Sequence, residues 1–231
     1  MRNPGAIAFL LAFVSGGNVA ASETALPRVL ILGDQIYQQS ASELKKELKG
    51  KVEIHYPRLE PGEIWNSTTA LELLDRQLGD GQWDVIHFNC GLGDLIYRVP
   101  RVKAFRVMPR HAGGILTTPP GQYEKNLSAL VSRLKATKAK LVWASTTPIR
   151  HSSTNVFAKG SEIEYNAIAR KVMDGHGIVT NDMYAFVKGL IDMNKPAGHG
   201  ADPFFFDRKP IHGPILKIIS QNLGLALENN E

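Results

Sequence analysis

Cysteine is almost absent from this chain. One residue, Cys90, in 231 excludes an intramolecular disulfide and a cysteine-built zinc site. The 13 prolines and 21 glycines follow no period, which excludes collagen-like and low-complexity architectures. No His-Glu-x-x-His or other spaced histidine cluster occurs, so no metal site is expected. Gly91-Leu-Gly93 lacks the third glycine of a dinucleotide fingerprint, and no cofactor is expected. Nucleic-acid-binding motifs are missing too, so nucleic acid is not an expected partner. Acid is missing from Leu95 to Tyr123, a stretch that holds Arg98, Arg101, Lys103, Arg106, Arg110 and His111.

What is present starts with a leader. Arg2 precedes the apolar run Ala6–Val14, and Val19-Ala20-Ala21 supplies small residues at cleavage spacing. This is the anatomy of a secretory signal peptide over residues 1–21. The run is too short to span a bilayer, which takes about 20 residues, so no stable membrane insertion is expected after cleavage. The reading is an exported chain, periplasmic or extracellular, whose residues 22–231 form one domain. Hydrophobic residues at 43% and charged residues at 21% are those of a folded globular chain. In an oxidising compartment the lone thiol of Cys90 has to be shielded.

Five apolar runs read as strands: residues 28–33, 52–56, 83–89, 141–145 and 178–181. Helical stripes separate them. Leu44 and Leu48 follow Ser40-x-x-Glu43, and Leu71, Leu74 and Leu78 follow Thr69-x-x-Glu72, both at capping-box spacing. Tyr123, Leu127, Leu130, Val131 and Leu134 form a stripe that Pro119 starts. Ser161-x-x-Glu164 opens a further helix, and a last one runs from about Pro214 to Leu225. The alternation predicts an α/β three-layer αβα sandwich around a flavodoxin-like parallel five-stranded sheet. Ligands bind such sheets at the C-terminal strand ends. That rule selects Gly33–Ile36, Asn89–Asp94, Ser145–Arg150 and Asn181–Tyr184.

The strand-end sequences Gly33-Asp34-Gln35 and Gly91-Leu-Gly-Asp94, with Asp202-Pro-Phe-Phe-Phe206 downstream, resemble the SGNH (GDSL-type) hydrolase superfamily. Gln82–Asn89, Gln122–Asn126, Trp143–Pro148 and Tyr165–Ala169 are similar to its secreted bacterial members that act on carbohydrate esters. The resemblance implies a serine nucleophile after Gly-Asp, an oxyanion hole completed by a glycine and an asparagine, and a C-terminal Asp-x-x-His. An alcohol attacks only when a base takes its proton, and the developing oxyanion needs fixed donors. This chain departs at each position. Gln35 replaces the serine, Gly93 the asparagine, and Phe205 the histidine. No glycine stands near Trp65-Asn66 for the remaining donor.

Two readings follow. In one, the chain is an exported SGNH-like protein that binds a carbohydrate or other anionic small molecule or polymer in a vestigial cleft. In the other, it is an ester hydrolase on acylated carbohydrates with rearranged groups, Asp202 and His212 being the catalytic candidates. His199, Ser40, Ser145 and Thr146 are weaker candidates, and Cys90 is a soft nucleophile without a histidine beside it in sequence. The cleft residues expected under either reading are Gly33, Asp34, Asn89, Gly91, Asp94 and Thr146. Arg106 and Arg110 join them from the acid-free segment, which reads as a long loop suited to uronate, sulfate or phosphate groups. Gln35 either presents its amide to a sugar hydroxyl or fills the vacated space. Phe204–Phe206 read as core or cleft wall, and His87 as a core histidine.

Overall fold

The computed structural model describes residues 25–102, 104–150, 155–195, 206 and 209–226. The segment 1–21 expected to be a leader, Asp202 and Phe205 lie outside these residues. In chain order the elements are β1 (Arg28–Leu32), α1 (Gln35–Glu47), β2 (Glu53–His55), α2 (Ser67–Leu78), β3 (Val85–Phe88), α3 (Leu92–Leu95) and β4 (Tyr97–Arg98). Then follow β5 (Ile115–Leu116), α4 (Pro120–Ala136), β6 (Lys140–Ala144), α5 (Ser161–His176), β7 (Val179–Asn181), α6 (Met183–Leu190) and α7 (Gly213–Leu223).

The main sheet has the order β2-β1-β3-β6-β7, and every neighbouring pair is parallel. The expected five strands and their order are therefore present. Val29, Ile86 and Val142, on three adjacent strands, are fully buried, as a sheet covered on both faces requires. Right-handed crossovers put α2, α4 and α5 on one face and α1 on the other. In agreement, α4 packs against both α2 and α5. The stripe Tyr123, Leu127, Leu130, Val131 and Leu134 is buried along α4. The direction of winding reverses at β1, whose neighbours are β2 and β3, and the crevice at the strand ends opens there.

Helix starts differ from the spacing-based expectation. Asp34 caps α1, accepting from the Ile36 N–H at 3.0 Å, so Ser40 is mid-helix and donates to the Ile36 carbonyl instead. Asn66 caps α2, accepting from Thr68 and Thr69, with Thr69 as the reciprocal partner rather than the cap. In both cases a residue nearer the preceding segment takes the cap. The fifth helix does open at Ser161 as expected, with Gly160 in the left-handed region before it.

The acid-free segment is not a patternless loop. Tyr97 and Arg98 pair antiparallel with Leu116 and Ile115, and Arg98 also bridges Val107. Val99 donates to the Arg106 carbonyl, Met108 donates to the Tyr97 carbonyl, and a 3-10 turn covers Arg110–Ala112. The strand around Tyr97 is tied to the body by its N–H, which donates to the Val156 carbonyl at 2.9 Å.

Candidate functional site

A groove of about 1120 Å³ opens at the crevice beside β1. One wall is α1 from Asp34 to Glu43, the opposite wall is the connection Tyr56–Trp65, and Leu92 and Gly93 close the inner end. Ile96 and Phe105 from the basic segment, Phe206, and Lys209–His212 complete it. Of the residues expected in the cleft, Asp34, Gln35, Gly93 and His212 line this groove.

Gln35 is exposed at the first position of α1, where the nucleophile stands in the family that the sequence resembles. Its amide can donate and accept but cannot attack a carbonyl. Asp34, next to it, is partly buried, and loss of water raises its carboxyl to about 6 against the opposing Ile36 N–H. The Tyr56 hydroxyl reaches the carbonyls of Gly33 and Asp34 at 3.2 and 2.9 Å and fixes the turn between β1 and α1.

The space at position 93 is decisive. A Cβ on Gly93 would lie 1.9 Å from the Trp65 carbonyl oxygen. Trp65 is held on both sides of that carbonyl. Its indole N–H donates to the Asn89 carbonyl at 2.6 Å, and the next residue is the Asn66 cap of α2. The position that the resemblance assigns to an oxyanion asparagine thus has no room for a side chain. Main-chain oxygen, an acceptor, occupies the room where a donor would stand.

Several residues expected in the cleft lie beneath it. Asp94 is fully buried and accepts from the Ser67 N–H at 2.9 and 3.0 Å and from the Ser67 hydroxyl at 2.6 Å. The Ser67 hydroxyl in turn accepts from Asn126, so Asp94 ties α3, α2 and α4 together. Burial lifts its carboxyl to about 6, against the bonds from Ser67. Asn89 is buried and donates to the Ala144 carbonyl at 2.9 Å, continuing the β3–β6 junction past the ladder. Thr146 is buried too. Its N–H donates to Asn166, which donates back to the Thr146 carbonyl. A Cβ on Gly91 would come within 1.8 Å of the Thr146 hydroxyl, so that glycine serves close packing. Gly33 is buried against the Tyr37 ring. These five positions support the groove from beneath, and of the six cleft residues expected under either reading only Asp34 reaches its lining.

Arg106 and Arg110 are exposed on the meander and do not line the groove; its contributions there are the apolar Ile96 and Phe105. Arg110 lies over the Tyr97 ring at 5.2 Å. His212 lines the groove, yet its Nε2 is 2.7 Å from Glu47 Oε1. Glu47 ends the 13-residue helix that Gln35 begins, about 18 Å away along the axis. Phe206 is buried, in keeping with a cleft wall. His87 is buried in mid-strand against Asn181 and held down to about 3 by burial. The Cys90 thiol is buried and pushed up by desolvation, ahead of the charges of Asp94 and Asp34, which removes thiolate character. Asn66, first in an Asn-Ser-Thr glycosylation sequon, is buried in its cap and closed to modification in the folded chain. Trp65 is the functional-site residue that sequence reasoning missed. Its only signal was its position near the expected oxyanion glycine.

No family model matches the chain, and no curated protein matches it. Solved structures do. It is similar to a lipase/acylhydrolase from Enterococcus faecalis, with TM-score 0.62 and 10% identity over 88% of this chain and 100% of that one. It is similar to an acetylxylan esterase from Geobacillus stearothermophilus, with TM-score 0.58 and 12% identity over 89% and 97%. A GDSL-like lipase from Bacteroides thetaiotaomicron aligns with TM-score 0.58 and 14% identity over 85% and 87%. At these identities the likeness is one of fold, and the chain carries the α/β fold of the SGNH (GDSL-type) hydrolases.

Proposed function

We propose that this is an exported, non-hydrolytic binding domain built on the SGNH hydrolase fold, with residues 1–21 as its leader and residues 22–231 as the domain. It holds a carbohydrate-type or other anionic ligand in the groove beside Gln35. The observation that carries the reading is the Trp65 carbonyl in the space of a side chain at position 93. An oxyanion forming there would face an acceptor instead of a donor, and loss of one such donor alone costs about 10²–10³ in rate. Gln35 removes the covalent route independently. The amides of Gln35, Gln38 and Gln39 along the rim suit hydroxyl groups, and since Arg58 and Lys209 stand among the carboxyls of Asp34, Glu43, Glu60 and Glu63 the lining favours hydroxyl contacts over net charge.

The rearranged-hydrolase alternative needs His212 as a base, and that requires the ring to leave Glu47. The test is a purified-protein assay on p-nitrophenyl acetate and on acetylated xylo-oligosaccharide, the substrate class named for one structural neighbour. Binding of the oligosaccharide without turnover is the expected result. Turnover by the wild type that disappears in His212→Ala contradicts the proposal and supports the hydrolase.

A further inference from the structure

The meander between α3 and α4 presents a second surface, separate from the groove. Arg98 sits between Ile115 on one side and Val107 on the other, by strand pairing and by a bridge. Directly opposed residues of antiparallel strands point to the same side, so the three side chains lie abreast on one face. Val107 is 51% exposed and Ile115 42% exposed, with Val102 at 39% on the adjoining turn. These make up half of the exposed large hydrophobic side chains among the described residues. Arg101 on that turn is also exposed, whereas Arg106, the neighbour of Val107 along the strand, alternates to the other side. Among the described residues none of Arg98, Arg101 and Arg106 forms an ion pair, and the segment supplies no acid to form one.

We propose that this face docks the protein on an anionic phospholipid surface. Val107 and Ile115 enter the boundary between headgroups and acyl chains, while Arg98 and Arg101 meet the lipid phosphates. Charge complementarity selects an anionic partner. The aliphatic pair selects a lipid surface among anionic partners. Two exposed β-branched side chains gain burial at the acyl boundary, whereas a hydrated polyanion offers them nothing apolar. The neighbouring Ile96 and Phe105 line the groove, so docking sets the groove rim next to the surface. The mode is peripheral: no helix among the described residues is long and apolar enough to cross a membrane.

The test is co-sedimentation of the chain from residue 22 onward, which contains every described element, with phosphatidylcholine vesicles with and without phosphatidylglycerol. Association with the phosphatidylglycerol vesicles alone, weakened by salt, is expected. Arg98→Gln and Arg101→Gln should each lower the partition coefficient about fivefold, from the attraction of one basic residue to an anionic surface. Val107→Thr with Ile115→Thr keeps the β-branched shape of the strands and should lower it severalfold, with an unchanged far-UV circular dichroism spectrum. Two results overturn the proposal. One is no association with the anionic vesicles. The other is an association that the double threonine variant leaves intact and that soluble dextran sulfate abolishes, which would mark a charge-only site for a polyanion.

Discussion

Placing a side chain on Gly93 tests the mechanical half of the account. In Gly93→Ala the new Cβ meets the Trp65 carbonyl oxygen at 1.9 Å, so either α3 or Trp65 must move. Trp65 is pinned by its indole bond to Asn89 and by the cap that follows it. Overpacking of this kind costs about 1–3 kcal/mol, and a disturbed cap about 1 kcal/mol more. The sum, about 2–4 kcal/mol, corresponds to a Tm lowered by about 5–15 °C in a domain of this size. Gly175→Ala is the control, since a Cβ there meets nothing within 4 Å in a helix. It should leave Tm equal or slightly higher. Thermal unfolding followed by circular dichroism reads both. For the same steric reason Gln35→Ser combined with Gly93→Asn should show no esterase activity, because the asparagine has no room to aim its amide. Equal melting of Gly93→Ala and Gly175→Ala would refute the packing argument. Hydrolysis of p-nitrophenyl acetate by the double variant would refute its extension to catalysis.

Other outcomes follow from the buried supports. The Asp94 carboxyl stands at about 6 in the fold against 3.8 in an unfolded chain. Its contribution to stability is therefore complete below about pH 4 and lost as pH rises through about 6, by at most about 3 kcal/mol. The cost of Asp94→Asn in urea unfolding should accordingly shrink between pH 4 and pH 7, and a constant cost would contradict the ionisation behind it. Asn66→Ala removes the acceptor for Thr68 and Thr69 and should cost about 1 kcal/mol in the same assay. His212→Ala breaks a pair to a well-exposed Glu47 and should change stability by less than about 1 kcal/mol, with no effect on ligand binding at the Gln35 end.

The parts of the fold that were legible in the sequence are those set by periodicity. Continuous apolar runs located the five strands, and the stripe from Tyr123 to Leu134 located α4, because burial on a sheet leaves a pattern within one segment. Helix starts were misread because capping pairs such as Ser40-x-x-Glu43 also occur inside helices. Asp34 lay nearer the strand and took the role. The helix Met183–Leu190, capped by Asp182, was hidden by its shortness, and the meander by strands of two residues. The expected site rested on the resemblance, which sets Gln35 at its serine position and Gly93 at its asparagine position. What that glycine means required the approach of Trp65 from another strand connection, and the partner of His212 lies 165 residues away. Contacts of that range leave no trace in spacing. Asp94 and Thr146 illustrate the same limit, since polar residues at strand ends look alike whether they face a ligand or hold the floor beneath it.

Binding and the absence of turnover can be read in one titration. Trp65 lines the groove, so its fluorescence reports occupancy. Acetylated xylo-oligosaccharide would be titrated into the wild-type protein while proton NMR of the same sample follows free acetate. The account expects a saturable fluorescence change with acetate release no faster than in buffer. Saturable binding accompanied by catalytic release of acetate would contradict it.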